Sequence, residues 1–377
     1  MLGRTRCSDD RTRPPAASTQ YLRAYSDRVP VGEPALECQE FQPGAGATAA
    51  ELSQFESRPP PSVAAADNIS CTPATASPSL EGMAAEETRT VVVTGASTGI
   101  GAACAQYLDE KGFRVFATVR KQSDADGIAA LGRSRLKPLF LDVTDAESIA
   151  KAAQTVDAAL DGAGLAGLVN NAGVSVDVPL ECVDIGVLRH QLEVNAIAPV
   201  VVTQAFLPFL RLAQGRVVNV SSINGRVASP FSGPYCMSKF ALEAFTDCLR
   251  QELADWGMHV AAVEPGAIET AIWGKGREDD WSAEASKQHL DLYGEAYQAF
   301  RKFSEQTAAG AVACDAVSRA IFHALTAKTP RTRYLVGTDA RVYARLAQIC
   351  PDRVMDWVGR KVMGLDSVRS LRSRGRS

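Results

Sequence analysis

Tyr235 and Lys239 stand four residues apart, and Ser222 precedes the tyrosine by thirteen positions at the end of the run VVNVSS. A phenol titrates near pH ~10, so at neutral pH it moves protons poorly unless a nearby cation favours its phenolate. Lys239 can be that cation. Residues i and i+4 share one face of a helix, so both side chains would address the same partner. Ser222, at a strand end, could hydrogen-bond the same reacting oxygen. The chemistry this set supports is hydride transfer between an alcohol and a carbonyl. A Tyr/Lys pair at this spacing also arises by chance on many helices, so the elements that position it have to decide.

The first such element is TGASTGIG at 94–101, which places Gly95, Gly99 and Gly101 between an apolar run and a helical pattern. Glycines allow positive φ and close backbone approach, and a helix N-terminus offers N–H groups to a pyrophosphate. After the second apolar run the sequence reads Val119, Arg120, Lys121. An acidic residue there would hydrogen-bond the ribose of NAD, whereas a guanidinium pairs with a 2′-phosphate. NADP(H) is therefore favoured over NAD(H).

Apolar runs alternate with helical patterns along the remainder. Strands are expected at 89–94, 114–120, 138–144, 167–173 (a strand and turn), 216–222, 259–266 and 333–337, with one long helix over 187–210 and another bearing Tyr235. Strands apolar throughout and separated by helices define a parallel sheet covered on both faces. The expected fold is a doubly wound, Rossmann-type α/β sandwich of three layers in a single domain. Ligands in such folds bind at the carboxyl ends of the strands. The glycine turn, Asp142, the Asn171 turn, Ser222 and Pro265-Gly266 all fall there.

These motifs in order, with LDVT around Asp142, NNAG at 170–173, Asn195, YCMSK at 235–239 and EPGAIET at 264–270, resemble the short-chain dehydrogenase/reductase family over residues 89–340. The resemblance implies a catalytic set of Asn195, Ser222, Tyr235 and Lys239. Tyr235 would be the general acid/base, and Ser222 would polarise the substrate oxygen. Lys239 would hold the nicotinamide ribose and lower the tyrosine pKa, and Asn195 would position a water in a proton relay. It also implies a cofactor bed of Gly95, Ser97, Thr98, Gly99, Ile100, Gly101, Arg120, Asp142, Val143, Asn171, Ala172, Gly173, Tyr235, Lys239, Pro265, Gly266, Ile268 and Thr270. Asp142 would meet the adenine, and a homodimer or homotetramer would form on the long helices.

Residues 271–310 follow the Pro-Gly turn, where that family carries its substrate-binding segment. Trp273, Trp281, Tyr293, Tyr297 and Phe300 give it aromatic surface, either as core or as the wall of an apolar pocket. TVRK, YCMSKFALEAF and EPGAIET further resemble the branch that handles steroids and retinoids, so the expected substrate is a lipophilic alcohol or ketone. A smaller carbonyl or hydroxyacyl substrate, and a non-catalytic NADP-binding sensor, are the alternatives. Two amphipathic patterns around Val342–Ile349 and Val354–Val362 could cap the pocket or pack on a subunit or a lipid surface.

Residues 1–87 contain ten of the 19 prolines and no sustained periodicity, so they are expected to be disordered. The folded domain is expected over 88–366, and 367–377 reads as a basic flexible tail with Arg369, Arg372, Arg374 and Arg376. Met83 looks like a start just before the first strand. No run suits a membrane span, which takes about 20 apolar residues, although peripheral membrane contact through the tail stays open. Nine scattered cysteines without a Cys-x-x-Cys pair suit a reducing cytoplasm. No metal is expected, because the four histidines lack ligand spacing, and the net charge of −3 gives no basic field for nucleic acid.

Overall fold

The computed structural model describes residues 89–269 and 280–367. Expectations placed on residues 1–87, on Thr270 and Trp273, and on the tail beyond Ser367 lie outside the described residues. The elements in chain order are β1 (Thr90–Val93), α1 (Gly99–Glu110), β2 (Arg114–Val119), α2 (Gln122–Ala130), β3 (Leu136–Phe140), α3 (Ala146–Leu160) and β4 (Gly167–Asn170). Then come α4 (Ile185–Leu192), a π turn (Glu193–Ile197), α5 (Ala198–Leu212), β5 (Arg216–Val220), α6 (Gly233–Glu252) and β6 (His259–Pro265). The described chain closes with α7 (Trp281–Glu284), α8 (Lys287–Ala309), α9 (Cys314–Thr326), β7 (Arg333–Val336), α10 (Thr338–Ile349) and α11 (Asp352–Val362).

The seven strands form one parallel sheet in the order β3-β2-β1-β4-β5-β6-β7. Alternation along β1 sorts its valines between the two faces. Val91 and Val93 pack with Cys104 and Leu108 of α1 and Val317 and Ile321 of α9. Val92 packs on the opposite face with Ile149 and Val156 of α3 and Phe206 and Leu210 of α5. Each face is thus sealed by helices, and the strand order reverses between β1 and β4. That crevice is where such a sheet receives a ligand.

Two expected elements are corrected. The third strand covers Leu136–Phe140 rather than 138–144. As an edge strand it tolerates Pro138. It stops because Asp142 Oδ1 accepts from both Thr144 N and Thr144 Oγ1, at 3.0 and 2.8 Å, which turns the chain. The long helix is interrupted by the π turn around Asn195. Pro199 has no N–H to return to the Asn195 carbonyl four residues back, and the ladder steps out to i+5, as Ala198 N–H does to Glu193 O.

The continuous run Ile185–Leu212 is long and apolar enough to cross a membrane by length and composition. Here it lies against the sheet, with Thr203 Oγ1 accepting from Asn170 Nδ2 at 3.0 Å and Val202, Phe206 and Leu210 buried.

Candidate active site

A cavity of about 1970 Å³ opens along the carboxyl edge of the sheet. Its floor is the β1–α1 turn. Gly95 and Gly99 adopt φ of 64° and 58°, and a Cβ on Gly101 would lie 2.2 Å from the Gly95 carbonyl oxygen, so these positions admit no side chain. Thr98 gives α1 no side-chain cap, and the first turn of α1 holds no acidic residue. The helix therefore presents its N–H groups and positive dipole end to the cavity, as a pyrophosphate requires.

The turn is fastened from both sides by residues that sequence reasoning did not single out. Thr94 Oγ1 accepts from Asn171 N at 2.8 Å and Ala172 N at 3.0 Å, and Thr118 Oγ1 accepts from Gly95 N at 3.1 Å. Asn171 Nδ2 in turn donates to the carbonyls of Thr94 and Gly95 at 2.9 and 3.1 Å. Threonine is an ordinary strand residue, and nothing local separates these two from a core position.

Of the expected cofactor residues, Gly95, Ser97, Thr98, Gly99, Ile100, Gly101, Arg120, Asp142, Val143, Asn171, Ala172, Gly173, Pro265, Gly266 and Ile268 all line the cavity. Val119 and Lys121 line it beside Arg120. Hydrogen bonding by Thr144, against an opposing effect of burial, holds the Asp142 carboxyl below its ordinary range, with Arg120 assisting. The Pro265-Gly266 turn is held by Asp339 of α10, whose Oδ2 accepts from Ala267 N at 2.8 Å. Just before it, Glu264 is 0% exposed and its two carboxylate oxygens meet Arg226 Nε at 2.9 Å and Arg333 Nε at 3.0 Å. Burial and the neighbouring Glu243 push the Glu264 carboxyl up to about 7 against those arginines.

Tyr235, Lys239 and Ser222 converge on this cavity. The phenol hydrogen-bonds Ser222, yet its enclosure pushes the Tyr235 pKa up to about 12. Lys239 is 4% exposed, its Nζ donates to the Val220 carbonyl at 2.8 Å, and it lies 5.6 Å from the Tyr235 ring centroid. Burial draws this ammonium down to about 8, with Glu243 opposing. Burial is the largest influence on the phenol in the protein as described, and the Lys239 ammonium is turned to a backbone carbonyl.

Asn195 is 0% exposed and does not line the cavity, unlike the other three. Its Nδ2 donates to the Val174 carbonyl at 2.8 Å and to Ser238 Oγ at 3.0 Å, and its Oδ1 accepts from Val174 N at 2.9 Å. The side-chain amide is thus committed to the wall segment after Gly173 and to Ser238.

The aromatic residues of α7 and α8 divide. Trp281, Tyr297 and Phe300 border the cavity, Tyr297 and Phe300 as buried core side chains, whereas Tyr293 turns its hydroxyl to Glu181. Tyr343 and Ala347 of α10, Met355 of α11 and Met363 just after it also line the cavity, whereas Val342, Ile349, Val354, Trp357 and Val362 of the expected apolar stripes are exposed.

A family model for short chain dehydrogenases matches residues 89–281. Retinol dehydrogenase 5 of Homo sapiens is 39% identical over 284 residues, which are 71% of this chain and 88% of that protein. The mitochondrial D-beta-hydroxybutyrate dehydrogenase of Bos taurus is 38% identical over 261 residues, 65% of this chain and 76% of the relative. A short chain dehydrogenase from Burkholderia cenocepacia J2315, solved in complex with NADP, aligns with a TM-score of 0.55 at 27% identity, covering 71% of this chain and 96% of that one. With the sheet order and the Tyr235/Lys239 cavity already in place, the chain belongs to the short-chain dehydrogenase family. Its activity is that of an NAD(P)-dependent oxidoreductase interconverting alcohols and carbonyl compounds.

Proposed function

We propose that the chain interconverts a lipophilic alcohol and its ketone or aldehyde, with NADP(H) preferred over NAD(H). The observation that carries this reading is a phenol hydrogen-bonded to Ser222 in a cavity that runs from the glycine turn to the wall of Trp281, Tyr297 and Phe300. The nicotinamide cofactor, held by the α1 N-terminus and the turns after β4 and β6, supplies or accepts the hydride at the carbinol carbon.

Tyr235 donates its proton to the developing alkoxide in reduction and takes the alcohol proton in oxidation. Ser222 hydrogen-bonds the same oxygen and Lys239 stabilises the phenolate. With its pKa raised, the phenol is protonated at neutral pH and ready to donate. Asn195 fixes the wall segment at Val174 against Ser238, one residue before Lys239. Arg120 and Lys121, where an acidic residue would favour NAD, support the 2′-phosphate preference. The lipophilic substrate is supported by the aromatic wall and by the likeness to a retinol dehydrogenase.

A second reading, a hydroxyacyl-type substrate, is favoured by the likeness to D-beta-hydroxybutyrate dehydrogenase. Steroids, retinoids, aliphatic ketones and hydroxyacyl esters, followed by nicotinamide absorbance with each cofactor, separate the two. Faster turnover of lipophilic ketones with NADPH is expected, and turnover confined to short hydroxyacyl compounds would install the second reading. We also place the chain as a dimer or tetramer in a reducing cytoplasm. Exposed Ile197, Met237 and Phe240 on the long helices and six free cysteines among the described residues support this, and light scattering would measure the mass.

A further inference from the structure

The charges buried behind the Pro265-Gly266 turn have no part in the proton transfer. Glu264 of β6 is 0% exposed, yet neither of its carboxylate oxygens accepts an aligned hydrogen bond among the described residues. Its contacts are ion pairs, with Oε2 2.9 Å from Arg226 Nε and Oε1 3.0 Å from Arg333 Nε. The Nε–H of Arg333 is aimed at Glu243 Oε2 instead, at 3.2 Å, and its Nη2 reaches Asp247 Oδ2 at 2.6 Å. Apolar side chains of similar volume often match or exceed the stability of a buried ion pair. Glu264 is thus better accounted for by what it joins than by how it packs.

Its contacts lead to separate edges of the active site. Arg226 lies four residues after Ser222, and the turn between them closes on itself. Ser222 Oγ accepts from Asn224 N at 3.1 Å, and the Ile223 carbonyl accepts from Arg226 N at 2.9 Å and Val227 N at 3.0 Å. The Arg226 side chain, which lines the cavity, ties this turn to β6. Glu264 is itself followed directly by the Pro265-Gly266 turn. Through Arg333 it is joined to Glu243 and Asp247, further along the helix that carries Tyr235 and Lys239. The substrate oxygen meets Ser222 while the nicotinamide lies by the Pro265-Gly266 turn, so the separation of the two turns sets the hydride geometry.

Resting on the oxidoreductase reading above, we propose that Glu264 is a positioning residue: as a carboxylate it holds Arg226, and with it the Ser222 turn, at the working distance from the Pro265-Gly266 turn, and uptake of a proton releases that hold. The charged groups packed around it are Arg226 after β5, Glu243 on α6 and Arg333 on β7. Lys239 and Asp247 lie further along α6, and Asp339 of α10 lies at the turn. Helix α9 covers the opposite face of the sheet, with Val263. Burial and Glu243 bring the carboxyl up to about 7 against the two arginines, which puts the release within a range an assay can reach. Because Asp339 holds the turn independently, through Ala267 N at 2.8 Å, cofactor binding should survive it.

The probe is the ketone or retinaldehyde from the panel above that wild type reduces fastest, at saturating NADPH. Glu264→Gln keeps the shape and fixes the neutral state. At pH ~8 it should lower kcat by about 10- to 100-fold, as a displacement of about 1 Å does, while the Kd for NADPH stays within about twofold. A merely structural role would leave the second readout unmoved. The carboxylate is present above about 7 and lost below it, so the ratio of wild-type to variant kcat should shrink about tenfold from pH ~8 to ~6. The phenol, at about 12, stays protonated throughout and adds no limb in this direction.

Unchanged kcat in E264Q at the upper pH, or a ratio constant with pH, overturns the positioning role and leaves the oxidoreductase reading standing. Wild type inactive toward every carbonyl compound overturns both. Should E264Q fail to fold, Arg226→Gln cuts the same tie from its other end and must show the same loss of kcat with NADPH binding retained. Arg226→Lys, which restores a point charge, must then lie between R226Q and wild type. R226Q as active as wild type overturns the proposal.

Discussion

At the cofactor end the cavity wall is backbone: Gly95, Gly99 and Gly101 leave room, and the first turn of α1 offers its N–H groups. At the substrate end the wall is side chains, with Asp177, Tyr235, Tyr297 and Met355 arriving from elements far apart in the chain. A backbone wall needs only the right residues in one short run, and it recognises what all dinucleotides share. A side-chain wall needs several distant elements to be placed together, and it can discriminate among substrates. The same contrast separates the tolerances of the two ends. One methyl group at Gly101 would crowd the first, 2.2 Å from the Gly95 carbonyl oxygen.

The sharpest way to break this division is at the junction of the two ends. Tyr235→Phe should cut turnover by about 10²- to 10⁴-fold, the usual share of general acid–base catalysis, while NADPH binding measured by fluorescence stays near normal. Lost cofactor binding would mean that the tyrosine belongs to the cofactor wall.

The next effect is on stability. Because burial holds Lys239 down at about 8, the folded chain gives up a proton that the unfolded chain keeps to pH ~10.4. The unfolded state then binds more protons over that window, so stability rises with pH between those values. Relative to Lys239→Met, wild type should gain on the order of 3 kcal/mol from pH ~8 to ~10.5 in urea unfolding, at about 1.36 kcal/mol per pKa unit. A flat difference would show that the ammonium is not desolvated.

At the cofactor end, Gly101→Ala would drive a Cβ to 2.2 Å from the Gly95 oxygen and 2.5 Å from Asn171 Nδ2. Overpacking of this kind costs about 1–3 kcal/mol, and NADPH affinity should fall by about tenfold or more in a fluorescence titration. Unchanged affinity would refute the backbone wall. The smallest effect is expected at exposed Arg120. Arg120→Ala should raise the KM for NADPH by about fivefold, as a solvent-screened ion pair allows, and leave NADH unaffected. Equal changes for both cofactors would remove the arginine from the 2′-phosphate.

How much of this was legible in the sequence follows the same division. The β1–α1 turn could be read directly, because glycine spacing, apolar run and helical pattern lie within a dozen residues. Asp142 is legible at the edge of the sheet, but the end of the strand before it is not. An apolar Leu141 after Phe140 looks like more strand, and the turn made by Thr144 depends on one side-chain geometry. The π turn has a visible cause in Pro199, although the flanking residues are apolar enough to suit an unbroken helix. Thr94, Thr118 and Asp339 gave no signal, since a hydroxyl or carboxylate that fastens a distant turn looks local only after folding.

By itself, then, the amino-acid sequence determined the parallel sheet, the glycine cradle and the i,i+4 pairing of Tyr235 with Lys239, because periodicity and spacing act within single elements. The tertiary structure alone decided that the phenol is enclosed, and that Asn195 spends its amide on Val174 and Ser238. It alone brought α10 and α11 back over the cavity and Glu264 between Arg226 and Arg333. Desolvation, hydrogen-bond partners and charge proximity are properties of three-dimensional neighbours, and no spacing along the chain encodes them.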